Sequence, residues 1–321
     1  MKIGHFSIQR HGSLVSLKRR RETAMSLPEM MLSISLCMPL VLGSINLLCQ
    51  SVSEQRLAHQ TLLMEQDAQS ALNIIANAVQ LAGHRDPLIT DHRFSEPRLR
   101  GMDDATLAAR TDIHDGKSGP GLFGSDVLII HFWGNHAATH APLNCAGMPV
   151  PAGSVAAVDK SVDDQGFSVF YVARGPDGEP ELRCKYRSAS GWDSESLVQG
   201  VESFQVLYGI DRDGDGQPEH YLRASAISDE IGSTSAAVSL WEKIVAVKVS
   251  LLMRSTQPVP KPLTAMKWNL FGDDYSARHA LNDRGTVLST RDFTEEQRNR
   301  LRRSYEQLIF VRNPSQLSGP T

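Results

Sequence analysis

The chain has 321 residues, of which 41% are apolar and 21% charged, so it is long enough for one large domain or two modest ones with a sizeable core. The net charge is −3. Residues 1–24 contain six Lys and Arg and one acidic residue, Glu22, so their charge is +5 and the remainder of the chain carries −8. This acidic body argues against nucleic acid as the main partner, because phosphate binding needs clustered Lys and Arg.

An uncharged apolar segment follows the basic N-terminus and runs from Met30 to Leu48. At about 1.5 Å per residue it nearly matches a bilayer core of roughly 30 Å, so it predicts a single membrane span. The preceding basic residues favour a cytoplasmic N-terminus, with residues 50–321 exported. The stretch "INLLCQSVSEQ" offers no A-x-A-like cleavage site, and Leu precedes both Cys37 and Cys49, which argues against a lipoprotein. The two remaining possibilities are cleavage before the apolar segment and no cleavage at all.

The helix is predicted to continue beyond the membrane. Apolar residues recur mostly every three or four positions, which is one stripe of an amphipathic helix. They are Leu57, Met64, Ala68, Leu72, Ile75, Val79 and Ala82. Gly83 and Pro87 are typical of a helix C-terminus. We therefore predict one helix of about 55 residues, whose second half packs on its own domain rather than forming a coiled-coil stalk.

The remainder of the chain is predicted to form a mainly antiparallel sheet after an irregular connection over residues 84–122. Short apolar or alternating runs such as "SDVLIIHFWG", "SVAAVD", "FSVFYVAR", "PELRCKYR", "EHYLRASAI" and "KIVAVKVSLLMR" are typical of strands. The stretches "GPDGEP", "SASGWD" and "DRDGDGQP" read as turns. The last segment is expected to be helical and then extended at "QLIFVRN". The predicted fold class is α+β.

The segment "DRDGDGQPEHYL" is the sharpest local motif. Asp211, Asp213 and Asp215 alternate, and Gln217 and Glu219 follow at calcium-ligand positions. Leu222 stands where an EF-hand needs a bidentate Glu, so the motif is either a shorter calcium loop or a plain acidic Asp-Gly hairpin. The sequence has no G-x-S-x-G, P-loop, HExxH or C-x-x-C pattern, and we expect no enzymatic activity and no required cofactor.

The start of the apolar segment, "AMSLPE", resembles the class III signal of type IV prepilins and type II secretion pseudopilins. The resemblance implies cleavage between Ala24 and Met25, N-methylation of Met25 and an assembly role for Glu29, the fifth residue of the mature chain. The stretches "GSDVLIIHFWG", "LVQGVESFQVLYGIDRDGDG" and "LRRSYEQLIFVRN" look like the PilW family of large minor pilins. That family implies a pilin-like fold, with a long N-terminal helix on the sheet.

The resemblance implies a leader (1–24), a transmembrane helix half (25–49), an amphipathic half (50–83), the connection (84–122) and a periplasmic head (123–321). An oxidising periplasm favours pairing of Cys145 with Cys184, in a region that pilin-like proteins often cross-link. The implied function is assembly of a type IV pilus, in a priming complex that can stay at the tip. The implied partners are a prepilin peptidase, other minor pilins, the major pilin and the inner-membrane assembly platform.

Two other functions remain open from the sequence. A J-type pseudopilin of a type II secretion system shares the leader and the architecture. An uncleaved, membrane-anchored, calcium-dependent binding protein would keep residues 1–24. In the preferred interpretation the protein resides in the inner membrane with a periplasmic head, and later in the filament at the cell surface.

Overall fold

The computed structural model describes residues 26–85, 97–135, 141–150, 165–188, 190–229, 240–259 and 265–313. The predicted leader, Met25 and the predicted strand "SVAAVD" lie outside the described residues. Four α-helices are described: α1 (Leu27–Leu81), α2 (Ala224–Asp229), α3 (Gly272–His279) and α4 (Glu295–Arg298). The described strands are β1 (Leu99–Met102), β2 (Val127–Trp133), β3 (Gln165–Arg174), β4 (Pro180–Ser188), β5 (Gly191–Gln199), β6 (Val201–Ile210), β7 (His220–Leu222), β8 (Ile244–Pro258), β9 (Lys267–Asn269), β10 (Val287–Ser289) and β11 (Arg300–Phe310).

Helix α1 has 55 residues, as the sequence predicts, and the chain divides into two units along it, residues 1–55 and 56–321. In the first unit every described residue is exposed. The hydroxyls of Ser33 and Ser44 donate to the carbonyls of Glu29 and Leu40, each at 2.8 Å. Because these hydroxyls bond within the helix, its surface stays largely apolar.

In the second unit, α1 packs on its own domain from Met64 onward, which confirms the predicted stripe except at Leu57, which is 45% exposed. The apolar side of α1 joins one continuous core cluster with residues of both main sheets. The helix residues of this cluster are Met64, Ala68, Ala71, Leu72, Ile75, Ala76, Ala78 and Val79, with Ala82 just beyond the helix. The helix ends two residues before Gly83, whose φ of +71° suits glycine at a helix C-terminus.

A five-stranded antiparallel sheet has the order β1-β2-β3-β4-β5. Its side chains alternate between two clusters: Leu128 and Ile130 join the α1 core, whereas Ile129 and Val169 face the other side. On that other side, Leu107 and Ile113 complete a second core. The predicted irregular connection therefore contains an edge strand and a cover for the sheet. Lys185 in β4 attaches this covering segment to the sheet, because its Nζ donates to the carbonyls of Ala108 (2.5 Å) and Thr111 (2.6 Å).

A four-stranded antiparallel sheet has the order β11-β8-β6-β7, so the head contains two main sheets where the sequence suggested one. One face of this sheet joins the α1 core, and residues of the 265–299 segment cover the other face through a small cluster around Trp268 and Phe293. Beneath this cover, the Glu202 carboxylate accepts hydrogen bonds from Arg302 Nε (2.6 Å) and Nη2 (2.9 Å). Both side chains are fully buried.

Two local predictions are wrong, and one strand is not predicted. The predicted turn "SASGWD" begins correctly, because β4 ends at Ser188, which pairs with Gly191 at the start of β5, but β5 itself is not predicted. The strand predicted at "EHYLRASAI" stops at Leu222 and gives way to α2, because Asp103 accepts the backbone N–H groups of Ala224 (2.9 Å) and Ser225 (2.8 Å). The last described strand begins at Arg300, earlier than predicted. The charged residue Arg302 can lie within this strand because it pairs with the buried Glu202.

Candidate functional site

Glu29 lies in the first turn of α1 and is exposed. The carbonyl of Ser26 accepts the backbone N–H groups of Glu29 (3.0 Å) and Met30 (3.1 Å), which begins the helix. A carboxylate in a first turn interacts favourably with the helix dipole, so Glu29 stabilises the start of α1 whatever else it does. Ala24 and Met25 lie outside the described residues, and the cleavage site stays a prediction.

The first half of α1 differs sharply from the second half in exposure. Leu40 is 71% exposed, whereas Leu72 on the same helix is 3% exposed. Among the described residues, α1 alone is long and apolar enough to cross a membrane. A continuous apolar surface of this size is unfavourable in water and marks a membrane or protein contact.

Cys145 and Cys184 form a disulfide, as predicted, with Cα atoms 5.8 Å apart. Cys184 lies in β4, and the backbone N–H of Cys145 donates to the hydroxyl of Ser168 in β3 (2.9 Å). The bond therefore fixes the segment around Cys145 onto the five-stranded sheet. Cys37 and Cys49 are free and exposed on α1.

The aspartate-rich loop, residues 211–219, connects β6 to β7. The two carboxylate oxygens of Asp211 accept the backbone N–H groups of Gly214 (2.6 Å) and Gly216 (2.8 Å). Both glycines have φ near +85°, a conformation that other residues rarely adopt. Glu219 accepts the N–H of Arg212 (3.0 Å). This network explains why the sequence forms a tight turn here.

Four carboxylates converge in this loop, and they can each offer one oxygen such that all lie within 4.8 Å of one another. They are those of Asp211, Asp213, Asp215 and Glu219. Gln217, the fifth predicted ligand, donates its backbone N–H to Asp215 at 2.7 Å. Carboxylate oxygens are the kind of ligand that Ca²⁺ takes, although a complete shell has about 6–8 oxygens.

The charges of the loop affect the pKa of Asp213. The backbone N–H of Asp215 lowers this pKa, but partial desolvation and the carboxylates of Asp215 and Glu219 outweigh it, so the pKa is raised. The pKa of Glu219 is lowered instead, because its carboxylate accepts the backbone N–H of Arg212. Crowding of negative charge is what a bound cation would relieve.

Sequence reasoning missed a set of buried acidic residues in the head. The carboxylate of Asp126 accepts the N–H groups of Val206 (2.9 Å) and Asp104 (3.2 Å), and burial raises its pKa well above the usual range. Asp283 accepts the hydroxyl of Tyr275 (2.7 Å), and burial raises its pKa to about 6. The partners of Asp126 lie 22 and 80 residues away, and the burial of Asp283 arises only in the folded head, so no local pattern indicates either acid.

A long N-terminal helix, apolar along its first half and packed along its second half on antiparallel sheets, is the pilin-like architecture. Residues 169–313 match the family model PilW, Type IV Pilus-assembly protein W. This part of the chain is similar to that family of pilus-assembly proteins. No curated protein and no solved structure matches the chain.

Proposed function

We propose that this protein is a minor pilin of the complex that initiates a type IV pilus. A prepilin peptidase removes residues 1–24, and the new amine of Met25 is methylated. Before assembly, the first half of α1 spans the inner membrane and the head of the protein lies in the periplasm. It then joins other minor pilins and the major pilin through the inner-membrane assembly platform, in a position that leaves it at the tip of the filament.

The observation that carries this proposal is the division of α1 into an exposed apolar half and a packed half. Such a helix can exchange a lipid environment for a protein one without refolding, because both solvate apolar side chains and its backbone groups bond internally. The packed half keeps the head attached in both environments. The match to a pilus-assembly family over residues 169–313 supports the same conclusion.

Glu29 is proposed to set the register of the subunit in the filament. Assembly would surround this carboxylate with apolar helices, where an unpaired charge costs several kcal/mol. The Met25 amine of a neighbouring subunit is a suitable partner, since it becomes available only after cleavage. A buried pair with good geometry roughly breaks even, so the pair selects a position more than it adds stability.

The test is complementation of a deletion strain with Glu29→Ala and, as matched control, Glu54→Ala, which removes another exposed carboxylate from α1. We expect the deletion to lose surface pili and twitching while secretion stays intact. Glu54→Ala should restore both pili and twitching, and Glu29→Ala should restore neither. Normal piliation by Glu29→Ala would contradict the register role.

We also propose that the aspartate-rich loop binds Ca²⁺ through Asp211, Asp213, Asp215 and Glu219. Support comes from the alternation of the aspartates and from the convergence of the four carboxylates. The ion would join β6 to β7 at one edge of the four-stranded sheet and stiffen that edge. The ion is not needed for the fold of the head, because the loop is already held by its own hydrogen bonds.

A further inference from the structure

We infer that Gly83, Arg98 and Asn313 form a clasp that attaches the C-terminal end of helix α1 to the end of β11, the last described strand. The three residues come from three distant parts of the sequence and meet where α1 ends. In a pilus subunit this clasp carries load from the helix into the head, a role that rests on the proposed function. The fastening itself does not depend on that function.

Asn313 caps the helix from outside. The last carbonyl groups of an α-helix have no partner within the helix. The Nδ2 group of Asn313 donates to two carbonyls there, those of Ala82 (2.9 Å) and Gln80 (3.3 Å). These partners lie more than 230 residues away in sequence, so the contact joins the end of the helix to the end of the described chain.

Arg98 holds Asn313 in place. Its guanidinium donates to the backbone carbonyl of Asn313 through Nη1 and to that of Ile244 through Nη2 (2.6 Å). Arg98 is 7% exposed, and its side chain packs beside Gly83. The last turn of α1 has no basic residue of its own, so Arg98 also supplies positive charge near the negative end of the helix dipole.

Gly83 leaves room for both partners. A Cβ at this position would lie 3.0 Å from Cδ of Arg98 and 3.7 Å from Cβ of Asn313. Its φ of +71° independently disfavours a side chain. The backbone N–H of Gly83 donates to the carbonyl of His131 (2.9 Å), which adds a bond to β2.

The strand that precedes Asn313, β11, is hydrogen-bonded into the four-stranded sheet. β11 pairs with β8 along most of its length, from Arg302 with Arg254 to Phe310 with Ala246. One residue further on, Val311 N–H donates to the carbonyl of Val245 (2.9 Å). The clasp therefore gives tension on α1 a hydrogen-bonded route into the four-stranded sheet, in addition to the apolar packing of the helix.

Hydrogen exchange of the full-length protein in detergent micelles tests the clasp. Asn313→Asp keeps the shape of the side chain but removes both donors and places a carboxylate against the helix carbonyls. We expect the backbone amides of residues 78–84 to exchange on the order of tenfold faster, whereas those of β3 and β4 keep the wild-type rate. Arg98→Met should accelerate exchange in the same segment.

Arg312→Ala is the matched control, because Arg312 is exposed and adjacent to Asn313. It should leave exchange at residues 78–84 unchanged. Unchanged exchange in Asn313→Asp would overturn the clasp, and so would an equal acceleration across the whole head, since that would mean general destabilisation. The measurement needs no pili, so its failure would leave the proposed function standing.

Pulling on single molecules tests the load-bearing role. With handles at the N-terminus and in β4, Asn313→Asp should release α1 from the head at lower force than the wild type and Arg312→Ala. Equal release forces for all three proteins would show that the clasp carries no load.

Discussion

Asp283 lies where the 265–299 segment meets the rest of the head, and it faces Tyr275, Asp103 and Arg223. Burial raises its pKa to about 6, the nearby Asp103 carboxylate adds to this, and the Tyr275 hydroxyl and Arg223 oppose it. In the unfolded chain an aspartate has a pKa of about 3.9. The stability that this group contributes is therefore fully present below about pH 4 and is lost as the pH rises through about 6.

Asp283→Asn should remove this pH dependence, because an amide is neutral at every pH and can still accept the hydroxyl of Tyr275. At pH of about 7.5 we expect the variant to have a free energy of unfolding higher than the wild type by about 2–3 kcal/mol, and at pH of about 4 the two should agree. Urea unfolding of the full-length protein in detergent measures both. Asp274→Asn, an exposed change on α3, should follow the wild type. A variant that is less stable at the higher pH would contradict this account of Asp283.

Individual residues could be predicted where the signal is local. The disulfide is such a case, because Cys145 and Cys184 are the two cysteines after residue 50, whereas the assembly role of Glu29 stays a prediction. Glu202 could not be predicted as a buried acid, because its partner Arg302 lies 100 residues away. Charged residues are rarely buried without a partner, and the partner is visible only after folding.

Among the elements, α1 was predictable because its apolar residues repeat at a helical spacing over many turns. β5 was not, since its residues are mostly polar and lie on an edge of the sheet. The cover of residues 103–118 was also missed. Its few buried apolar residues, such as Leu107 and Ile113, are separated by polar ones and follow no regular period.

The aspartate-rich loop provides the prediction at this scale. Extracellular calcium modules usually have a Kd of about 0.1–1 mM. About 5 mM Ca²⁺ should then stabilise the wild-type protein by about 1–2 kcal/mol, seen as a rise in Tm. The double variant Asp213→Asn, Asp215→Asn should show no rise, and it keeps Asp211, which holds the turn through Gly214 and Gly216.

The matched control is Asp177→Asn, which changes an exposed aspartate in another Asp-Gly turn, between β3 and β4. It should respond to Ca²⁺ as the wild type does. Mg²⁺ should have little effect, because it demands a more regular octahedral geometry. If Ca²⁺ does not raise the Tm of the wild type, the loop is a plain acidic turn.

Across the whole molecule, the two halves of α1 differ. Its first half is apolar and exposed, and its second half shares a core with both sheets. The order of an apolar helix and a strand-rich head could be predicted because each has its own composition. The arrangement of the head in two sheets could not, since strand order depends on contacts between distant segments.

We propose that a prepilin peptidase converts this chain into a filament subunit. Mass spectrometry of the N-terminus of the protein purified from its own cells tests this conversion. We predict a mature chain that begins at N-methylated Met25 and lacks residues 1–24. A chain that retains the basic leader would contradict the claim and favour a permanently anchored binding protein.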